Sequence, residues 1–374
     1  MITTQDFRDR ARDVLPPAVF DYYDGAAGQE HTAHDNEAAF RHWWFRRTVL
    51  TDVAHPSTRT HILGRTASAP LLLAPTALHR LAHPEGEMAT ARAAREAGLP
   101  FVVSTLSSTD IAEVAGLGGD VWFQLYAHQD PTVTTALVRR AEECAVRALV
   151  LTVDTPVPGR RLRDLRRNFS PPPHVRPVNL EAAMAASDRV RPRGGTLPLT
   201  ELFAANFEPS VTWRDVERVA KSTSLPLVLK GIARAADARR AVDLGIPAII
   251  VSNHGGRQLD GDRPTLDCLP EVVQEVEDEA EVYLDGGVRG GGDILKALAL
   301  GANAVLIGRP YLWGLAVGGE NGVAGVLRLL TDELRLDLQL TGLTDTKDAG
   351  PGLLTPARTA HPQQSPADDQ EHKR

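Results

Sequence analysis

Eight short apolar runs recur along this chain, and their regular recurrence restricts the fold more than any other feature. They lie at 71–74, 101–104, 121–125, 149–153, 227–230, 249–252, 282–284 and 304–307, bounded by Gly, Pro, Ser or Asp. A run that is apolar at nearly every position, not at every second one, suits a strand buried on both faces in a parallel sheet. Amphipathic stretches at 86–97, 132–143, 235–244 and 292–300 lie between them. Parallel neighbours need a crossover, and a helix is the usual one. Eight β-then-α units in series predict an α/β fold, a closed (β/α)8 barrel; an open doubly wound sheet of eight strands is the alternative.

The spacing breaks once. Most runs restart after twenty to thirty-odd residues, but the fourth and fifth are separated by a long insertion at about 156–210. It carries Pro171, Pro172, Pro173, Gly194 and Gly195 among many charges. Because it follows a strand, it falls on the C-terminal face, where barrels build their sites, and is expected to form a lid. Residues 1–65, with helix-like 4–14 and 17–26, are expected to cover one end of the barrel. The expectation is one barrel domain over 1–347, followed by a disordered tail at 348–374 with little to bury.

Several strands end in residues that a core would not choose. The third ends in Gln124 and Tyr126, the fourth in Thr152 and Asp154, and the fifth in Lys230. The sixth ends in Ser252, Asn253, His254 and Arg257, and the seventh in Asp285 and Arg289. One polar end is an ordinary cap, but five on the same face of a barrel imply a site. Glycines at 286, 287 and 308, with Arg289 and Arg309, follow strands seven and eight, where backbone N–H groups can approach a phosphate. Lys230 ends a buried strand, so its ammonium must meet an anion or an electron-rich acceptor. His254 suits a general base near neutrality, with Asp154 to orient it, and Arg257 can grip a carboxylate.

Composition narrows the partners. The net charge is -7, which offers no global basic field for nucleic acid or anionic lipid. No run approaches the roughly 18 apolar residues of a membrane span, and no signal peptide is visible. Cys144 and Cys268 stand alone, outside any disulfide framework or metal spacing. A soluble cytoplasmic protein without a metal site is expected.

The run Ser-Asn-His-Gly-Gly-Arg-Gln-Leu-Asp at 252–260 resembles the signature of the FMN-dependent 2-hydroxy-acid oxidases and dehydrogenases. The resemblance covers most of residues 5–345. It includes Asp-Tyr-Tyr at 21–23, Leu-Ala-Pro-Thr-Ala at 73–77, His-Pro-Glu-Gly at 83–86 and Gln-Leu-Tyr at 124–126. Thr-Val-Asp-Thr-Pro at 152–156, Gly-Arg-Arg at 159–161, Lys-Gly at 230–231 and Asp-Gly-Gly-Val-Arg at 285–289 complete it. The resemblance implies FMN as cofactor, a small 2-hydroxy acid as substrate, oxygen or a carrier as final electron acceptor, and a homotetramer or octamer. It makes His254 the base and Asp154 its partner. Arg257, Arg161 and Tyr22 would bind the substrate carboxylate, and Tyr126 its hydroxyl or oxo group. Lys230 would stabilise the reduced flavin ring. Pro75, Thr76 and Ala77 would pass near flavin N5, while Gln124, Thr152, Ser104 and Ser252 would line the ring. Asp285, Gly287, Arg289, Gly308 and Arg309 would hold ribityl and phosphate. His254 could take either the hydroxyl proton or the α-proton, and the residues serve both routes.

Two departures from the family pattern stand out. Leu106 occupies the place where glycolate-oxidising members carry a tryptophan over the substrate, and His128 replaces a tyrosine. Both are expected in the pocket wall, leaving room for an aryl or longer side chain. The competing readings are a same-family enzyme acting on a larger biosynthetic or peptide-derived hydroxy acid, a non-redox FMN isomerase, and a flavin-binding protein without catalysis.

Overall fold

The computed structural model describes residues 1–187 and 199–357. Eight parallel strands close the barrel: β1 (Leu71–Leu73), β2 (Phe101–Val103), β3 (Val121–Leu125), β4 (Leu149–Thr152), β5 (Leu227–Ile232), β6 (Ala248–Val251), β7 (Glu281–Leu284) and β8 (Ala304–Ile307). Consecutive strands pair, and β8 closes on β1. The open-sheet alternative is thereby set aside.

Side chains alternate along each strand, so an all-apolar run feeds two cores at once. Each strand sends a large side chain into the barrel interior, namely Leu72, Val102, Trp122, Val150, Val228, Ile250, Tyr283 and Leu306, and β6 and β8 add Ala248 and Ala304. Fully burying such a side chain is worth about 1.5–3 kcal/mol against leaving it in water. Their neighbours, among them Leu73, Val103, Phe123, Leu151, Leu229, Val251, Leu284 and Ile307, face outward into the shell of helices. Ile62 and Ala67, from the antiparallel pair Thr60–Ile62 and Arg65–Ala67, join the interior cluster and plug it. Two residues beyond the interior layer, the same alternation brings Ala74, Ser104, Gln124, Thr152, Lys230, Ser252, Asp285 and Gly308 to the C-terminal mouth.

Helices α1 (Thr4–Val14), α2 (Pro17–Asp24) and α3 (His31–Ala39) reach that mouth. Thr3 caps α1 through a capping box, and Thr4 Oγ1 donates to Arg289 O at 2.7 Å. Tyr23 Oη donates to Leu78 O at 2.7 Å, and Ala27 N to Gly256 O at 2.9 Å. The shell continues through α4 (Gly86–Ala97), α5 (Ile111–Gly116) and α6 (Pro131–Glu143). The insertion after β4 folds into α7 (Leu162–Arg167), α8 (Val178–Ala185) and α9 (Leu199–Asn206), and its segment 188–198 lies outside the described residues. The chain then runs through α10 (Trp213–Lys221), α11 (Ala235–Asp243), α12 (Thr265–Val276), α13 (Gly291–Ala299) and α14 (Arg309–Thr341).

The C-terminal expectation needs a correction. Residues Leu354–Pro356 form a strand antiparallel to Trp43–Phe45, with Leu353 and Leu354 buried. Structure therefore continues past 348, because two leucines and a distant partner strand give this polar stretch something to bury. Residues 358–374 lie outside the described ones. No helix among the described residues is long and apolar enough to cross a membrane.

Candidate active site

The barrel mouth holds a cleft of about 1190 Å3, counted out to its opening. Its walls include Tyr22, Pro75, Thr76, Ala77, Ser104, Leu106, Tyr126, Arg161, Lys230, His254, Arg257, Asp285, Gly287, Arg289, Gly308 and Arg309. These residues come from the cover, the insertion and the strand ends, and all were expected from the sequence. Gln124, Thr152, Ser252 and Asp154 stand immediately behind them. Gln124 Nε2 donates to Thr152 Oγ1 at 3.0 Å, and Ser104 Oγ to Gln124 Oε1 at 3.2 Å.

His254 sits just beyond β6 with a left-handed φ of 59°. Holding a non-glycine residue there costs on the order of 1–2 kcal/mol. Neighbouring bonds offset the cost: His254 N donates to Ser252 Oγ at 3.0 Å, and Asn253 exchanges amide hydrogen bonds with Asn36 at 2.9 Å. The resulting turn brings His254 Nδ1 to 3.0 Å from Asp154 Oδ1 and leaves Nε2 for the cleft. Nδ1 is assigned the proton, since a carboxylate only accepts. Burial pulls the imidazole below its ordinary pKa, against the opposing pull of Asp154. Burial would raise Asp154, but His254 and Lys230 outweigh it and hold the carboxyl below its usual range. The dyad can enter so tightly because Gly231, at φ +110°, has no Cβ; one built there would lie 2.6 Å from Asp154 Cβ.

Three arginines converge on the same cleft without an ion pair among the described residues. Arg257 donates through NH1 to Tyr22 O at 2.8 Å and Gly25 O at 2.7 Å. Arg309 donates to Asp24 O, Gly255 O and Gly25 O at 3.0, 3.0 and 2.9 Å. Both thus cap the carbonyl end of α2, a favourable place for cations, and are fixed by doing so. Arg161 makes one long contact, Nε to Arg257 O at 3.4 Å. Burial and the nearby Arg257 lower Arg161 to about 10 and, with Arg289 added, Arg309 to about 9. Cations held this way favour an anion.

Lys230 is neutralised instead. Its Nζ lies 2.8 Å from Asp285 Oδ2 and 2.7 Å from Ser252 Oγ. Burial would lower Lys230, but Asp285 and Asp154 keep its pKa raised, so the ammonium persists. Asp285 Oδ1 is buried with no hydrogen-bond partner. Gly287, at φ +86°, packs against Asn36 O of α3 where a side chain would collide. Arg289 donates to Glu37 Oε1 at 2.7 Å and stacks over Trp313 at 5.2 Å.

One expected wall residue is elsewhere. His128 does not border the cleft: Asp130 N donates to its Nδ1 at 2.8 Å, and its backbone bridges to Phe207. The strand has ended at Leu125, so alternation no longer dictates its direction, and the ring turns to the start of α6. Phe203 of α9 was not foreseen. It borders the cleft and meets the Tyr126 ring edge-on at 5.2 Å. Only the aromatic content of the insertion could have signalled it.

The family model described as FMN-dependent dehydrogenase matches residues 11–356. Over 341 residues the chain is 47% identical to 4-hydroxymandelate oxidase of Amycolatopsis orientalis, covering 91% of this chain and 94% of that one. It is also 47% identical over 354 residues to L-lactate oxidase of a Nostoc species, covering 93% and 96%. The crystal structure of a mandelate oxidase with (S)-4-hydroxymandelic acid superposes at a TM-score of 0.88 with 45% identity, covering 95% of this chain and 98% of that one.

Proposed function

The chain belongs to the FMN-dependent dehydrogenase family, and from that premise we propose that it oxidises a 2-hydroxy acid bearing an aryl or branched side chain, with His254 as base and oxygen as final electron acceptor. The reaction class is that of its relatives: FMN-dependent oxidation of a 2-hydroxy acid to a 2-oxo acid. The non-redox and non-catalytic readings therefore fall away.

The residues present fit FMN. The unpartnered Asp285 Oδ1 can accept from a hydroxyl of the ribityl chain. Arg309 and Arg289 can meet the phosphate, and Lys230 the electron-rich edge of the ring. FMN, when bound, accepts the two electrons that leave the substrate α-carbon. The rest of the chemistry belongs to the chain. Arg161 and Arg257 take the substrate carboxylate and so set the α-carbon beside His254. The phenol of Tyr126, its pKa raised by burial, stays protonated and donates to the substrate oxygen. His254 Nε2 takes a proton from the substrate, and Asp154 stabilises the imidazolium.

The observation that carries this reading is the His254–Asp154 pair at 3.0 Å beside Arg161 and Arg257, half-buried and in no ion pair among the described residues. Substrate size rests on the opposite wall, where Leu106, Tyr126 and Phe203 present apolar surface. Filling such a wall gains about 25 cal/mol per Å2 removed from water, a few kcal/mol for a phenyl ring. The oxidase names of the relatives support oxygen as acceptor. Exposed Val49, Leu50, Leu336 and Leu340, flanking the contact of Thr48 N with Thr341 O, support a homo-oligomer.

Anaerobic bleaching of the flavin by glycolate, lactate, mandelate and long-chain 2-hydroxy acids tests the substrate. Mandelate-like acids should give the higher kcat/KM, and Leu106→Trp should move preference towards glycolate. Equal preference before and after the substitution removes Leu106 from the pocket wall. Hydrogen peroxide released in air should match substrate consumed.

A further inference from the structure

Behind the cleft wall lies a buried polar cluster that the mechanism does not use. His79 and Thr90 are fully buried and Glu87 nearly so. Thr76 Oγ1 lies 2.7 Å from His79 Nε2 and 2.5 Å from Tyr311 Oη. Tyr311 Oη lies 2.7 Å from Ala74 O, and Thr90 Oγ1 lies 3.1 Å from His79 Nδ1.

Elimination assigns the protons. Ala74 O can only accept, so the single Tyr311 proton goes there. The close approach of Tyr311 to Thr76 then requires Thr76 to donate to Tyr311 Oη. His79 Nε2 must in turn donate to Thr76 Oγ1, so the donors point one way from His79 to Thr76 to Tyr311 to Ala74 O. A neutral imidazole so arranged accepts at Nδ1, where the Thr90 hydroxyl, which also has Gly86 O at 3.5 Å, stands as the donor. Burial of the ring favours that neutral form. Glu87 fixes the upstream end, accepting from His79 N at 3.0 Å, Ser108 N at 2.8 Å, Ser108 Oγ at 2.7 Å and Thr109 Oγ1 at 2.9 Å.

The chain ends at the two residues that flank Pro75, on a segment with no regular structure. Pro75, Thr76 and Ala77 leave β1 and line the cleft before Leu78, which is held by Tyr23 and Leu106. We propose that His79 is a positioning residue for the cofactor, fixing the wall segment 74–77 through this one-way chain of hydrogen bonds. The inference rests on the reading that FMN occupies the cleft, and it adds a group that touches neither flavin nor substrate.

The test uses the full-length holoenzyme with His79→Leu, His79→Gln and Tyr311→Phe. Release of FMN on dilution is followed by flavin fluorescence, and the midpoint potential of the bound flavin is measured. His79→Leu takes one partner from each of two buried hydroxyls and should weaken FMN binding about tenfold while shifting the potential. Tyr311→Phe, which removes one oxygen and leaves the packing, should change both in the same direction. His79→Gln, with a donor and an acceptor on one amide, should restore both. Wild-type FMN release and potential in both His79→Leu and Tyr311→Phe overturn the proposal, as does loss of thermal stability alone. If instead FMN and riboflavin bind wild-type protein equally, the placement of FMN is what fails.

Discussion

His254 must be neutral to take a proton, and its surroundings set the pH at which it is. Burial lowers its pKa below the ordinary 6.5, and Asp154 opposes that only in part. A base works deprotonated, so kcat/KM should be flat near neutrality and fall as pH drops through the depressed pKa. Removing the charge of Asp154 leaves burial unopposed. Asp154→Asn should therefore move the acidic limb lower still and slow reduction roughly 10–100-fold, the worth of a charge-assisted buried bond. His254→Ala should slow it about 10²–10⁴-fold with FMN retained. An acidic limb that moves to higher pH in Asp154→Asn would mean that the carboxylate does not face the imidazole. Most of this site was legible because each polar mouth residue stands two positions beyond an interior apolar one, as Gln124 follows Trp122 and Lys230 follows Val228. The alternation reaches all eight strands, Ser104 and Gly308 included. His128 was misplaced because it lies beyond the strand, where that rule lapses. His79 was passed over because its meaning depends on Tyr311, which lies far along the chain.

Helix α7 carries Arg161 at its N-cap yet buries none of its own residues. At six residues it is too short to persist alone, so contacts outside it must hold it. Those contacts are mostly ionic. Arg163 reaches Asp24 at 3.0 Å and also bonds Glu30, Arg167 reaches Asp21 at 2.8 Å, and Gly28 N donates to Arg160 O at 3.0 Å. Asp24, almost wholly buried, is shared with Arg8 at 2.6 Å. The latch joins the insertion to α2, whose carbonyl end seats Arg257 and Arg309. Arg163→Gln should therefore raise KM for the hydroxy acid about tenfold, since one charge-assisted bond is worth about 1.5–3 kcal/mol, with kcat and FMN content little changed. Steady-state kinetics decide it, and an unaltered KM means that α7 is held by other contacts. The barrel units were legible as elements since each is local and periodic. The short helices of the insertion and the strand Leu354–Pro356 were not, because each depends on a partner far away in sequence.

At the scale of the molecule, the plug formed by Ile62 and Ala67 closes one end of the barrel, and the polar strand ends gather at the other. Arg161, Arg257 and Arg309 share that end without an ion pair among the described residues, and Arg257 lowers the proton affinity of both Arg161 and Arg309. Lys230 differs, being matched by Asp285. The protein without cofactor must therefore carry repulsion between Arg309 and its neighbours Arg257 and Arg289, which a phosphate dianion would relieve. A ligand that binds only the folded state stabilises it by RT ln(1 + [L]/Kd), about 2.7 kcal/mol at a hundredfold excess over Kd. The flavin-free protein should accordingly melt several degrees lower than the holoprotein, with Tm rising as FMN is added. Riboflavin carries the same ring and ribityl chain without the phosphate, so at equal concentration it should recover distinctly less of that rise. Inorganic phosphate added with riboflavin should restore part of the difference, and high chloride should diminish it by screening. Thermal denaturation across these four conditions separates phosphate from ring. Should riboflavin alone match FMN, Arg309 and Arg289 do not meet the phosphate.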